Sequence, residues 1–441
     1  MNKATLIGLF LVVILLAGGF LYFRDTAGPR VSLSPDSGPV SGKQEIIIQL
    51  EDEGSNLEQL ALSLSQGDEK QEILSQTYPT GTQTAQESVT LETEDLEEGP
   101  FSLEIVATDR SIYHFGGGNT TVQSYSFEYD NKPPRVEVLS TSHNLRQGGA
   151  GLVVYTLSEK PDKTGITIGD EFYPGYPQEG GFYAALFVFP FNADPDTFPP
   201  PRVVAFDRAG NKGDAGIYYR LLSRNFPTVE IDLTDPLLTK IQTEFQDAHP
   251  EAESALDLFL KVNRETRTSN RQVLVEYGKQ TSETPLWQGA FLSQPNTAAL
   301  GLFGARRIYH YEGKEVDRQT HLGMDLSSVA HAPVQASNNG KVVLADDLGI
   351  YGNCVIIDHG LGLQTLYGHL SRIGTQEGEV VEKGQIIGRT GASGMAAGDH
   401  LHFGVTISGV PVNPVEWWDL SWLENNVTSK LEMGRELSEK Q

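Results

Sequence analysis

The spacing of apolar residues changes three times along the chain. Residues 4–23 carry no charge and are rich in Leu, Ile, Val and Phe, which is enough for one helix across ~30 Å of hydrocarbon at ~1.5 Å per residue. Lys3 precedes this run directly, and no clear small-x-small cleavage site comes before Arg24 and Asp25. A retained membrane anchor within residues 1–28 is therefore expected rather than a removed signal peptide, and either outcome puts the remainder outside the cytoplasm. Residues 30–226 switch to short alternations, such as Glu45-Ile46-Ile47-Ile48-Gln49-Leu50 and Leu152-Val153-Val154-Tyr155, broken by Gly, Pro, Asn and Asp. This pattern predicts antiparallel β-sandwiches. Pro29-Arg30-Val31 recurs as Pro134-Arg135-Val136, and Val106-Ala107-Thr108-Asp109-Arg110 as Val204-Ala205-Phe206-Asp207-Arg208, so two tandem copies are expected, 29–130 and 131–226.

Helical spacing begins after Pro227. Leu237, Leu238, Ile241 and Phe245 share one face, and Ala255, Leu256, Phe259 and Leu260 resume it beyond Pro250, which predicts two helices broken at that proline. Asp235-Pro236 reads as an N-cap followed by a first-turn proline. The polar stretch 263–284, with Gln272-Val273-Leu274-Val275, is expected to add a strand and complete a partly helical connector, 227–302. Residues 303–418 then form a last β-rich domain. The charged tail, read as a frayed helix or disordered from residue 425 onward, closes the chain at 419–441.

Composition narrows the chemistry. With 33 Lys and Arg against 58 Asp and Glu, the net charge of the 441-residue chain is −25. That field repels phosphate backbones, so nucleic acid is excluded as a partner. Cys354 is the single cysteine, so there is no intrachain disulfide and no Cys-x-x-Cys site. Any metal must be held by histidine and carboxylate.

Seven of the ten histidines lie between His310 and His402. Three pieces stand out: His321-Leu322-Gly323-Met324-Asp325, Tyr367-Gly368-His369-Leu370 and His400-Leu401-His402-Phe403. In a strand, His400 and His402 face one side while Leu401 and Phe403 enter the core. A straight strand would separate His321 from Asp325 by about 13 Å, so the chain must bend, and Gly323 is the natural place. Two imidazoles and a carboxylate can hold zinc with a fourth position open for water, which leaves two further histidines for proton transfer. His310, His331 and His359 read as ordinary surface or core residues, and Cys354 as a small buried hydrophobe.

This combination resembles the lysostaphin/LytM-type zinc metalloendopeptidases of bacterial cell walls. The likeness extends through Ala332-Pro333-Val334-Gln335-Ala336, Gly352-Asn353-Cys354-Val355-Ile356-Ile357-Asp358-His359-Gly360 and Val381-Glu382-Lys383-Gly384-Gln385-Ile386-Ile387-Gly388. It implies His321, Asp325 and His402 as Zn2+ ligands and His369 and His400 as the catalytic pair, with their individual roles open. The family often has Gly-Pro before His-Leu-His, where Gly398-Asp399 stands here. In the second β copy, Asp207-Arg208-Ala209-Gly210-Asn211 resembles a hairpin of bacterial immunoglobulin-like modules.

The resulting expectation is a mainly β protein: two tandem immunoglobulin-like β-sandwiches, a partly helical connector and a C-terminal lysostaphin-type antiparallel β peptidase domain. It would be a single-pass membrane protein facing the periplasm or cell wall, cutting amide bonds of peptidoglycan peptides, with envelope protein partners on its immunoglobulin-like domains. A non-catalytic activator of another wall hydrolase is the alternative. The connector is placed to cover the groove, and truncation to Phe303 onward is expected to raise activity. Trp417, Trp418 and Trp422 are expected to form a hydrophobic clasp.

Overall fold

Period-two alternation organises residues 30–129. In Ile46–Glu51, Ile46, Ile48 and Leu50 are buried and Gln49 and Glu51 exposed. Leu57–Gln66 and Gly99–Asp109 repeat the scheme with Leu60, Leu62 and Leu64, and with Leu103, Ile105 and Ala107. These side chains form one core shared by a three-stranded sheet (Arg30–Ser34, Ile46–Glu51, Thr84–Val89) and a five-stranded sheet (Gly38–Val40, Thr120–Tyr129, Gly99–Asp109, Leu57–Gln66, Glu69–Thr77). The pairing departs from the all-antiparallel expectation at Gly38–Val40, which runs parallel to Thr120–Tyr129. The computed structural model describes residues 3–91, 95–194 and 196–438. It divides into one unit of residues 1–134 with 206–212 and another of 135–205 with 213–441.

Lys3–Tyr22 is one helix of 20 residues with Phe10, Leu15 and Phe20 exposed. Among the described residues no helix is long and apolar enough to cross a membrane.

In the second unit, a four-stranded sheet runs in the order Tyr176–Pro177, Tyr183–Val188, Ala150–Leu157, Val136–Val138, and Lys163–Ile168 lies between Glu171–Pro174 and Arg202–Phe206 in another. The C-terminal part is built on an eight-stranded sheet in the order Ala298–Gly301, Met324–Ser327, Leu401–Ile407, Leu363–Gly368, Asn353–Gly360, Gly340–Asp347, Val380–Val381, with Val410–Val412 paired to Leu401–Ile407. Its neighbouring strands are antiparallel. Both faces are covered. Val355, Ile357 and Tyr367 enter the core that includes Phe291, Phe403 and Trp417, while the intervening Cys354, Ile356 and Leu366 enter a second core with Leu258, Phe259, Val262 and Leu274 of the connector. Trp417 is fully buried and packs edge-on against Trp287, Phe291 and Trp422.

The connector differs from its reading in two places. Helix Asp235–Phe245 is capped by the side chain of Thr234, not Asp235, which accepts a hydrogen bond from Leu237 N. Residues Arg267–Gly278 form a helix, so Gln272-Val273-Leu274-Val275 adds no strand. Asn270, Leu274 and Gly278, four residues apart, are buried along one helical face, and Asn270 Oδ1 accepts from Ile350 N at 2.9 Å. That contact outweighs the β preference of a three-residue Val-Leu-Val run.

The tail is also ordered. Glu424–Thr428 and Ser429–Ser438 are helical and bury Asn426, Val427, Lys430 and Leu431; residues 439–441 lie outside the described ones. Lys430 Nζ donates to Leu152 O at 3.1 Å, and burial lowers its pKa to about 7.

Nearby, buried Glu416 accepts from Ala150 N at 3.0 Å. Burial raises its pKa from 4.5 to about 7, against the opposing pull of the Ala150 N–H and of Arg224 and Arg146. The folded state thus favours the protonated acid, and this contribution, present in full at acidic pH, is lost as pH rises through 7. At about 1.4 kcal/mol per pKa unit, Glu416→Gln is expected to gain on the order of 2–3 kcal/mol relative to wild type between pH 5 and pH 8. Chemical denaturation at the two pH values measures it.

Candidate active site

Strand register brings the three histidine pieces together. Met324–Ser327 pairs with Leu401–Ile407 so that Asp325 lies opposite His402, and Leu363–Gly368 places Gly368 opposite the same residue. His369 follows with φ of 62°, a left-handed conformation costing on the order of 1–3 kcal/mol for a side-chain-bearing residue. Its N–H donates to Tyr351 O at 2.7 Å. His400 N donates to Gly391 O at 3.0 Å, just ahead of the strand. Leu401 and Phe403 lie in the core while His400 and His402 turn to the opposite side, as the period requires. The chain bends at Gly323, where a Cβ would stand 2.5 Å from the His402 ring, so any side chain there would displace that imidazole.

All five sequence-predicted residues line one cavity. His321 Nε2 is 3.0 Å from Asp325 Oδ1 and 3.1 Å from His402 Nδ1, and His402 Nδ1 is 2.9 Å from Asp325 Oδ1. His321 Nδ1 donates to Leu302 O at 3.1 Å, which leaves Nε2 a bare acceptor facing the Asp325 carboxylate and the His402 ring. Such an arrangement is satisfied by a cation. A tetrahedral ion bound at ~2.0–2.1 Å holds its ligands ~3.3 Å apart, so the nitrogen and oxygen donors fit zinc closely. His369 and His400 stand beside them with ring centres 4.8 Å apart. Their Nδ1 atoms donate to Ser393 O and Gly398 O, each at 2.8 Å, which leaves Nε2 as the acceptor in both.

Burial governs the imidazoles. It lowers His321 to about 4, His369 well below the usual range, and His402 in the same direction. In His400 the burial effect is outweighed by the nearby negative charge of Asp325, so the value rises. Burial alone would raise the Asp325 carboxyl, but the surrounding His321, His400 and His402 imidazoles hold it well below the carboxylate range.

Arg307, which sequence reasoning missed, forms an ion pair with Asp325 Oδ2 at 2.5 Å. It projects from Arg306–Tyr311, held between the parallel strand Thr228–Asp232 and the antiparallel Lys314–Thr320. Leu237, Ile241 and Phe259 of the connector also line the cavity, which measures ≈ 200 Å³. Lys240 Nζ donates to Gly394 O at 2.6 Å across its rim.

The remaining candidates lie elsewhere. His359 is fully buried between Asn339 O and Thr365 Oγ1, at 2.6 and 2.8 Å, within Asn353–Gly360. Asp399 accepts from Thr390 Oγ1 and His331 N. Cys354 is buried, and burial pushes its thiol up.

Residues 319–414 match peptidase family M23. This segment contains all five side chains. The C-terminal domain belongs to peptidase family M23. The M23 domain is 43% identical over 95 residues to the DD-carboxypeptidase/endopeptidase Mpg of Neisseria meningitidis, covering 22% of each chain. It is 38% identical over 96 residues to the peptidoglycan DD-endopeptidase ShyA of Vibrio cholerae, again 22% of each. The chain thus spans about a fifth of the length of these curated relatives. Among solved structures, it is similar to a putative peptidase M23 from Pseudomonas aeruginosa (TM-score 0.37, 20% identity, 62% of this chain and 93% of that one) and to the catalytic domain of lysostaphin from Staphylococcus simulans (TM-score 0.24, 27% identity, 28% and 92%). Arg307 lies outside the matched segment, on a strand paired with Thr228–Asp232 of the connector. Groups that orient a metal ligand commonly account for 10–100-fold in affinity, and Arg307→Ala is expected to weaken zinc retention by about that factor. Competition with a chromophoric chelator measures it, and unchanged retention removes the role.

Proposed function

We propose that the chain is a zinc metalloendopeptidase that hydrolyses amide bonds in peptidoglycan stem or cross-link peptides. The observation carrying this reading is the cluster of three ligand atoms 2.9–3.1 Å apart, with two further imidazoles at its side. The relatives named as DD-endopeptidases support the substrate class. His321, Asp325 and His402 would hold the ion, which when bound makes water a nucleophile near neutral pH and polarises a carbonyl. The rest is the work of the chain. Nε2 of His369 or His400 can accept a proton from the attacking water and return one to the leaving amine. The carbonyls of Ser393 and Gly398 hold the two rings in the required tautomer, and the apolar walls from Ile241, Phe259 and Tyr351 exclude bulk water.

Zymography on purified peptidoglycan tests the assignment. The full chain is expected to clear the gel with zinc. Clearing should vanish with chelator or His402→Ala, and fall about 10²-fold or more in His369→Ala, which leaves all three ligands in place. No clearing by zinc-loaded protein would favour the activator reading.

The cavity at the site is small. A cavity of ≈ 200 Å³ is smaller than the ~300–1,000 Å³ typical of ligand pockets, and connector side chains form one wall. We read this as self-restraint, relieved when helix Asp235–Phe245 moves. Truncation to Phe303 onward is a poor test, because it strips Leu258, Phe259, Val262 and Leu274 from the core they share with the sheet. Lys240→Ala is milder, removing only the bond to Gly394 O and the ion pair with Glu244. A charge-assisted hydrogen bond contributes about 1.5–3 kcal/mol, so at about 1.4 kcal/mol per factor of ten hydrolysis is expected to rise about 10–100-fold. Unchanged or lower activity in a soluble muropeptide assay contradicts the restraint.

The same reading extends to the rest of the chain. The charge-free stretch 4–23 would anchor the protein in the membrane, and the two β segments, as immunoglobulin-like modules, would hold the peptidase toward the wall on its outer side and offer surfaces to envelope partners.

A further inference from the structure

We propose that the unit of residues 1–134 binds a calcium ion between Asp25, Asp52 and Asp109. Each of these residues offers a carboxylate oxygen, and the three atoms lie within 4.8 Å of one another. They come from separate segments: the chain just after helix Lys3–Tyr22, the end of Ile46–Glu51, and the end of Gly99–Asp109. Asp52 and Asp109 are 6% and 0% exposed.

A second observation points to a ligand. Asp52 Oδ1 accepts from Gly54 N at 2.8 Å, but its Oδ2 is buried with no hydrogen-bond partner. Asn119, 5% exposed, repeats the pattern: Nδ2 donates to Asp25 O, Ala27 O and Asp109 Oδ2, while Oδ1 is buried and unpartnered. Buried carboxylates are normally paired with cations. Among the described residues, the ion pairs of this unit join Lys70 to Glu104, Arg110 to Glu58 and Lys132 to Glu98, and none of them involves the three aspartates.

The donors are all oxygen, which selects a hard cation over zinc. Calcium accepts six to eight oxygens in irregular geometry, including bidentate carboxylates and amide oxygens, whereas magnesium demands a near-ideal octahedron. Loops of unequal length fit the former. Neighbouring contacts already tie the segment after the helix into this corner: Ser55 Oγ donates to Asp25 Oδ2 at 2.6 Å and Ser111 Oγ to Asp25 O at 2.8 Å. A side chain at Gly54 would overlap the Asp25 carboxylate. A bound cation would complete the join and stiffen the link between the N-terminal helix and the first β segment.

Equilibrium dialysis of the zinc-loaded full chain against radioactive calcium tests this. One calcium per chain is expected, with a dissociation constant of about 0.1–1 mM, the range of extracellular calcium modules. Asp52→Asn should abolish binding and, in calcium-free buffer, melt no lower than wild type because a repelling charge is gone. Asp325→Asn, altered at the histidine site, should still bind calcium. The proposal fails if wild type shows no saturable binding up to 10-fold above that range, if Asp52→Asn still binds, or if magnesium competes equally. Should Asp52→Asn not fold, the wild-type dialysis alone decides.

Discussion

Asp325 makes different contacts through its two oxygens. Oδ1 is approached by His321 and His402 at 3.0 and 2.9 Å, with His400 at 3.6 Å, while Oδ2 is held by Arg307 at 2.5 Å. An ionised carboxylate this buried must be compensated on every side, and here the compensation comes from three separate chain segments. The antiparallel register that sets Asp325 across from His402, and Gly368 beside it, builds the site directly into the sheet. Asp325 and His402 sit on paired strands, which hold side chains more tightly than loops do and fix the shortest separation in the group, 2.9 Å.

The sheet supporting this site is covered on both faces, and each cover has a separate consequence. On one side, the core that runs through Phe403 and Trp417 continues into the second β segment, where Glu416 and Lys430 are buried against the backbone of Ala150 and Leu152. On the other side, the connector helices pack on Cys354, Ile356 and Leu366 and extend far enough to wall the cavity with Leu237, Ile241 and Phe259. The elements that complete the hydrophobic core therefore also line the cavity at the candidate site.

The sequence made the site's donors legible because their signals are local. His-x-His at period two, with Leu401 and Phe403 on the other face, needs only strand geometry, and the separation of His321 from Asp325 demands a bend where Gly323 stands. Arg307 was not legible. It is one of two adjacent arginines, and which of them meets Asp325 depends on the pairing of Arg306–Tyr311 with a strand some eighty residues earlier. The helix Arg267–Gly278 and the ordered tail were misread for a related reason: Asn270 and Lys430 look like surface residues until long-range partners, Ile350 N and Leu152 O, are in view. The aspartate group in the first unit was likewise invisible, since its members are separated by 27 and 57 positions.

The central claim is that His321, Asp325 and His402 grip zinc and that the paired histidines beside them cut peptides. Digestion of defined muropeptides by the zinc-loaded full chain, with products weighed by mass spectrometry, addresses it most directly. The account predicts fragments whose summed mass exceeds the substrate by one water, split at a peptide amide. Intact muropeptides in the presence of protein verified to carry one zinc per chain would contradict it.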